Sequence, residues 1–195
     1  KMTLREKVGQ MIQGDSEAIR PEDLRQYPLG SILSGGNSPP LDAKDDAPVE
    51  DWIRTTEAFR KVSLEARPGH VTIPIIYGID SVHGASNFKG AVVFPHNIGL
   101  GAMRDPALIE QIGRVTAAET AAAGADWAFA PAVAVPRDDR WGRSYEGYAE
   151  LPDITRDYSA AMVRGLQGAP GEARIQNGNV AATVKHFLAD GGTEN

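Results

Sequence analysis

Apolar positions along this chain follow two rhythms, one of helical spacing and one of short unbroken runs, and the two alternate. Thr3-Leu4-Arg5-Glu6 has the form of a capping box, and Leu4, Val8, Met11 and Ile12 recur at helical spacing behind it, which predicts a short helix. Leu29 to Ser34 reads as a brief buried strand entering the loop Gly35-Gly36-Asn37-Ser38-Pro39-Pro40, after which an acidic stretch leads into a helix near Val49 to Ala66. Ile73 to Ile79 is a β-branched run suited to a strand buried on both faces, with Pro74 near its start, where a missing donor matters least. Asp105 can cap a helix that has Pro106 at its first position, Leu108, Ile109, Ile112 and Val115 on one face, and Gly124 as its stop. Asp126 to Ala130 reads as a third strand. A long loop through Trp141 and Tyr145 follows, then a helix from Asp153 to Leu166 with Ile154, Tyr158, Met162 and Leu166 in register, then a fourth strand from Val180 to Phe187.

These four strands lie about 50 residues apart, alternate with helices and never form a tight hairpin, a pattern that predicts parallel βα units in an α/β fold. A complete (β/α)8 barrel takes about 250 residues, so four units describe about half of a TIM-like barrel, to be completed by residues absent from this chain. The pattern alone also allows a doubly wound sheet, although no G-x-G-x-x-G follows the first strand. Lys1-Met2-Thr3-Leu4 begins almost inside a helix and Gly191-Gly192-Thr193-Glu194-Asn195 stops in a loop, so both ends read as cut.

Composition narrows the function classes. With 195 residues and 42% hydrophobic content the chain has enough apolar material for a substantial core. The net charge of −6 is spread along the length, with no basic stripe for nucleic acid and no polybasic flank for a membrane. No apolar run approaches the roughly 20 residues that cross a bilayer, and no signal-peptide pattern opens the chain. There is no cysteine, which excludes disulfides, thiolate metal sites and cysteine nucleophiles.

Functional side chains of a parallel barrel gather where strands end and loops begin. Three such places carry polar clusters: Gly78-Ile79-Asp80-Ser81-Val82-His83-Gly84, Arg137 through Glu146, and Lys185-His186-Phe187. Carboxylate Asp80 can accept from two neighbouring hydroxyls, while Arg143 and Lys185 donate and would hold a nearby carboxylate ionised, a chemistry suited to a sugar. Taken singly, Asp80 reads as a turn or cap residue and Arg143 as a surface arginine. Lys185 and His186 are adjacent, so a regular strand would point them to opposite faces; a bulge or strand end must reconcile them, or else one serves a structural bond. His83 reads as a loop-fixing histidine, His70 and His96 show no partner pattern, and neither a catalytic metal nor any other cofactor is expected.

Those three segments resemble the G-x-D-x-V-H-G, D-x-R-W-G-R-x-x-E and K-H-F motifs of family 3 glycoside hydrolases, in the same order. The resemblance extends to Glu6-Lys7-Val8-Gly9-Gln10-Met11 and to Phe94-Pro95 before Gly99-Leu100, and so covers essentially residues 1–195. It implies the N-terminal portion of a catalytic barrel of the β-glucosidase or exo-β-glucanase type, a hydrolase that removes terminal β-D-glucosyl residues from β-glucosides or β-glucans by retaining double displacement. It implies substrate-binding roles for Asp80, Arg143, Lys185 and His186 on the hydroxyls of the terminal sugar. The nucleophile and the acid/base are implied to lie outside this chain, in the rest of the same enzyme, and a periplasmic or secreted location fits by family analogy.

Asp138, Asp139 and Glu146 are near neighbours in one loop and do not read as the retaining pair, whose carboxyl groups stand about 5 to 5.5 Å apart across the substrate. They are expected to partner Arg137, Arg140 and Arg143. The β-N-acetylglucosaminidase branch of the family continues K-H-F with P-G-H-G, whereas here Leu188-Ala189-Asp190-Gly191-Gly192 follows, which resembles the glucosidase branch. A β-xylosidase, or a non-catalytic sugar-binding barrel, stands as the alternative.

Overall fold

A computed structural model describes residues 1–35, 38–44, 47–171, 175 and 178–192. Gly36 and Asn37 of the first predicted loop, Asp45 and Asp46 of the acidic stretch, and Thr193-Glu194-Asn195 lie outside the described residues. Among the described residues five parallel strands form one sheet: β1 (Gln13–Asp15), β2 (Ser31–Ser34), β3 (Ile76–Ile79), β4 (Trp127–Ala128) and β5 (Ala181–Ala182). Their order in space equals their order in sequence. A doubly wound sheet reverses direction at a switch point, and this one does not, so the strands turn steadily as a barrel wall does. The helices are α1 (Leu4–Gly9), α2 (Val49–Ser63), α3 (Asn97–Ala102), α4 (Pro106–Ala122) and α5 (Pro152–Gln167).

Four of the strands fall inside the predicted runs, shortened at their ends. The fifth, β1, was not predicted, because Gln13-Gly14-Asp15 is short and carries no apolar alternation; it owes its extended shape to the ladder pairing Gln13 with Ser31 and Asp15 with Leu33. Capping is local and legible. Thr3 and Glu6 form the expected capping box, and Asp105 accepts from the Leu108 amide at 3.1 Å ahead of Pro106. In α4 the buried stripe is Ile109, Ile112, Gly113, Thr116, Ala117 and Thr120. Leu108 and Val115, expected on the same face, are more than a third exposed, because at helical spacing they fall to one side of this stripe, and α5 packs on the stripe itself so closely that a Cβ on Gly165 would stand 2.4 Å from the Glu110 carbonyl oxygen.

Strand parity separates two faces. Ile32, Tyr77 and Ile79 point to the helical side and join Trp52 and Phe59 of α2 in one core cluster. Ala128 and Ala130 join Ile109, Ile112, Tyr158 and Met162 of α4 and α5 in a second. Residues of opposite parity, namely Ser31, Leu33, Ile76, Gly78, Trp127, Ala181 and Thr183, line the inner face. The expectation that the Ile73 to Ile79 run is buried on both faces is corrected here: Ile76 is 48% exposed, since the described residues supply helices for one side of the sheet and no wall for the other. The last predicted strand is likewise shorter than expected, and Phe187 lies outside it at 95% exposure. Leu4, Val8 and Ile12 do share a face around α1, but it is exposed and, with Tyr27, Pro28 and Leu29, borders a hollow of about 500 Å³ beside β1; Met11 is exposed as well.

Glu6 ties α1 to the segment before β3. Its carboxylate accepts from the Thr3 amide at 2.7 Å, the Val71 amide at 3.0 Å, the Thr3 hydroxyl at 3.0 Å and His70 Nδ1 at 2.9 Å. His70, for which the sequence showed no partner, is thus half of a largely buried pair. The two backbone donors lead in lowering the Glu6 pKa from 4.5 to about 2, against an opposing effect of burial. A folded-state pKa below the unfolded one means stability that is complete above about 4.5 and lost as pH falls toward 2. Urea midpoints of the full-length protein are expected to fall across that window, and a Glu6→Gln variant, already weaker at neutral pH, to fall less; parallel acid limbs would refute the assignment.

Candidate active site

The site is built at the carboxyl ends of β3, β4 and β5. Asp80 follows Ile79, the last residue of β3, and shares the inner-face parity of Ile76 and Gly78. Gly78 is glycine because its neighbours across the ladder leave no room: a Cβ there would sit 2.4 Å from the Phe129 ring and 3.1 Å from that of Trp127. Those two rings meet edge to face at 4.8 Å, and Trp127 Nε1 donates to Thr183 Oγ1 at 2.5 Å, so aromatic side chains of β4 and the residue just beyond it form a rigid inner layer below Asp80. Beyond Asp80 the chain turns at Gly84, whose φ of +104° and contact with the Val92 carbonyl exclude a side chain.

His83 fixes that turn. Its Nδ1 donates to the Phe94 carbonyl at 2.7 Å, and the Phe94 amide returns a bond to the His83 carbonyl at 2.8 Å. Its ring lies 4.0 Å from that of His96, which meets Tyr145 edge-on at 4.7 Å. Burial, and then the neighbouring His83, lower the His96 pKa and favour its neutral ring. His96 therefore does have partners, although nothing in its sequence neighbourhood signals them.

Arg143 is presented by a tight turn. Ser144 Oγ donates to the Trp141 carbonyl at 2.8 Å, and a 3-10 turn runs over Ser144–Glu146. The buried Asn97 side chain of α3 donates to the Glu146 carbonyl at 2.8 Å, pinning the turn from below. The guanidinium grips Glu146 with two bonds of 2.6 Å, Nε to Oε1 and Nη2 to Oε2. This fork is the main cause of a lowered Glu146 pKa, with burial opposing it and the charges of Arg143 and Lys185 adding to it. Glu146 is therefore an ionised clamp for Arg143, as expected, and Asp138 pairs with Arg140 in the same loop.

Lys185 donates to Asp80 Oδ1 at 2.6 Å across the top of the sheet, its side chain only 13% exposed. The regular ladder of β5 ends at Ala182, and Lys185 is held by a lone parallel bridge to Ala132, with the Lys185 amide on the Pro131 carbonyl and the Val133 amide on the Lys185 carbonyl. The Ala130–Pro131, Lys185–His186 and Phe187–Leu188 peptides are cis. His186 Nε2 lies 3.2 Å from Arg143 Nη2, and Nδ1 lies 2.6 Å from Asp190 Oδ2. All four residues singled out from the sequence, Asp80, Arg143, Lys185 and His186, thus meet in one cluster. Asp190 and Asn97 belong to its framework and were missed; Asp190 stands four positions after His186, a spacing that carries meaning only once the loop is folded.

A carboxylate has about four acceptor positions, an ammonium three donors and a guanidinium five, so the internal pairs leave capacity on Asp80, Lys185 and Arg143 for a polyhydroxylated ligand. A cleft of about 380 Å³ beside the end of β5 is bordered by Val133, Val135, Val184, Lys185, His186 and Phe187, and of the four residues it touches Lys185 and His186 but not Asp80 or Arg143. Among the described residues no group of three or more His, Asp or Glu side chains could hold a metal ion, and no helix is long and apolar enough to cross a membrane.

Residues 3–195 match the family described as the glycosyl hydrolase family 3 N terminal domain. The crystal structure of an exo-1,3/1,4-β-glucanase from a Pseudoalteromonas species superposes with a TM-score of 0.94 at 46% identity, over 100% of this chain and 24% of that one. A lysosomal β-glucosidase of Dictyostelium discoideum is 32% identical over 96% of this chain and 24% of its own length. A β-glucosidase from Listeria innocua, solved in complex with glucose, superposes with a TM-score of 0.73 at 28% identity, over 98% of this chain and 26% of that one. The chain spans about a quarter of the length of these relatives.

Proposed function

We propose, from the premise that this chain belongs to glycosyl hydrolase family 3, that it is the N-terminal portion of a catalytic barrel that removes terminal non-reducing β-D-glucosyl residues. Its own contribution is the hold on the sugar being transferred. The observation that carries this reading is that Asp80 pairs with Lys185 and Arg143 meets His186, so that three strand ends come together through the adjacent Lys185 and His186.

The chemistry follows from the donors and acceptors present. Asp80, held beside Lys185, accepts from two vicinal hydroxyls, while Lys185 and Arg143 donate to sugar oxygens. Charge builds on the ring as the oxocarbenium-like state forms, the hydroxyls become better donors, and a carboxylate acceptor gains strength at that moment. The two carboxyl groups of the retaining mechanism, nucleophile and acid/base, are assigned to residues outside this chain by the family resemblance, and the pairing of its loop acids Asp138 and Glu146 with arginines is in keeping with that. Sugar-free pairing of each cation with a carboxylate keeps the clamp in place before substrate arrives, which lowers the cost of ordering it.

The test is turnover by the full-length protein on aryl β-glucoside and aryl β-xyloside side by side. Release from the glucoside with retained anomeric configuration is the expected result. Preference for the xyloside would move the assignment to the β-xylosidase alternative, and glucose binding without turnover of either would make this a sugar-binding barrel.

A further inference from the structure

The hold on the sugar does not account for one side-chain pair in the site, His186 with Asp190. Asp190 comes from the loop that leaves β5, and that loop is tied to the loop after β4 at several points. The Val135 amide donates to the Asp190 carbonyl at 3.3 Å and the Arg137 amide to the Gly191 carbonyl at 3.0 Å. Gly191, at φ +77°, lies so close against the Trp141 ring that a Cβ would stand 2.9 Å from it. The carboxylate is therefore carried on an anchored backbone, 22% exposed, and its Oδ2 meets His186 Nδ1 at 2.6 Å.

The other ring nitrogen decides what this contact does. His186 Nε2 faces Arg143 Nη2 at 3.2 Å, and a guanidinium can only donate. Nε2 must then present its lone pair and Nδ1 its proton, which the Asp190 carboxylate accepts. We propose that Asp190 is a positioning residue of the site, one that locks His186 as the neutral Nδ1–H tautomer so that Nε2 accepts from Arg143 and sets the guanidinium at the sugar. Asp190, His186, Arg143 and Glu146 form one chain of bonds, with each donor facing an acceptor. A proton on both ring nitrogens, or on Nε2 alone, would set N–H against N–H and displace Arg143. The charged groups next to the imidazole are Asp190 and Arg143 in direct contact and Glu146 behind Arg143, with Lys185 the preceding residue in the chain. This inference rests on the proposed sugar clamp for its consequence and on bond geometry alone for its tautomer.

The experiment is nitrogen NMR of the full-length protein labelled with 15N-histidine at neutral pH, with the His186 signal identified by its loss in His186→Gln. The expected result is a protonated Nδ1 and an unprotonated Nε2 in the parent, and a mixture of tautomers in Asp190→Ala. In parallel, Asp190→Ala is expected to lose about tenfold in kcat/KM on an aryl β-glucoside, the scale of one charge-assisted bond, and Asp190→Asn, whose amide oxygen still accepts from Nδ1, to recover part of it. A parent protein with Nε2 protonated, or an alanine variant with unchanged tautomer populations, overturns the proposal. If the tautomer result holds in a protein that turns over no glucoside, the proposed function fails and the positioning role stands.

Discussion

Asp80→Asn in the full-length protein is expected to lower kcat/KM on an aryl β-glucoside by about 30- to 1,000-fold, on the order of 2 to 4 kcal/mol of transition-state stabilisation. The substitution changes little volume and leaves β3 intact, so a loss of that size comes from the charge. Two effects add. The carboxylate can accept from two adjacent hydroxyls as they become better donors, and an amide can accept only through one oxygen. Lys185, 13% exposed, also loses the counter-charge 2.6 Å away and is left as a nearly buried ammonium with a neutral partner. Because the first effect strengthens along the reaction, kcat should fall more than KM rises. Circular dichroism of the variant checks that the barrel is unchanged, and an unaltered kcat/KM in a folded variant would refute a glycone role for Asp80.

The 195-residue chain prepared alone is expected to release nothing from the same aryl β-glucoside, a complete loss against the full-length protein. Its titratable clusters explain why. Asp138 is engaged by Arg140 and Glu146 by Arg143, and both carboxyl groups are held below the usual carboxylate range by those arginines, while Asp80 is occupied by Lys185, so none of the three is poised to deliver a proton to a leaving group. The described residues also leave much apolar surface uncovered: Ile76, Val184, Phe187 and Leu188 around the inner face and β5, and Leu4, Val8 and Met11 around α1, all more than 45% exposed. Dye binding that reports apolar surface should be strong for this chain and weak for the full-length protein. Adding a separately produced chain with the rest of the enzyme should restore turnover if the parts reassemble. Turnover by the purified 195-residue chain itself would show that a working carboxylate pair lies within it, with Asp138, Asp139 and Glu146 the first to be replaced.

Much of the local structure follows from neighbours in sequence. A threonine hydroxyl three residues from a glutamate, or an aspartate before a proline, satisfies orphan amides wherever the chain goes, so the starts of α1 and α4 are written in their own residues. Apolar runs long enough to be buried mark β2 and β3, and the spacing of Tyr158, Met162 and Leu166 marks the inner side of α5. Motif glycines are legible for the same reason: Gly78 and Gly84 stand where the fold tolerates no Cβ. From these elements and three charged strand ends, the sequence alone determined an α/β fold of parallel units, its family and the four residues Asp80, Arg143, Lys185 and His186 that the structure brings together. It did not show β1, since Gln13-Gly14-Asp15 becomes a strand only through its pairing with β2. Nor could it show how the backbone lets the adjacent Lys185 and His186 enter the same cluster, that His70 pairs with Glu6, or that Asp190 backs His186, because each depends on partners from other loops or on the place where a ladder stops. The order of the strands in space, which separates a barrel wall from a doubly wound sheet, was likewise decided by the tertiary structure, for hydrophobic periodicity records which face of an element is buried and carries no information about which strand lies beside it.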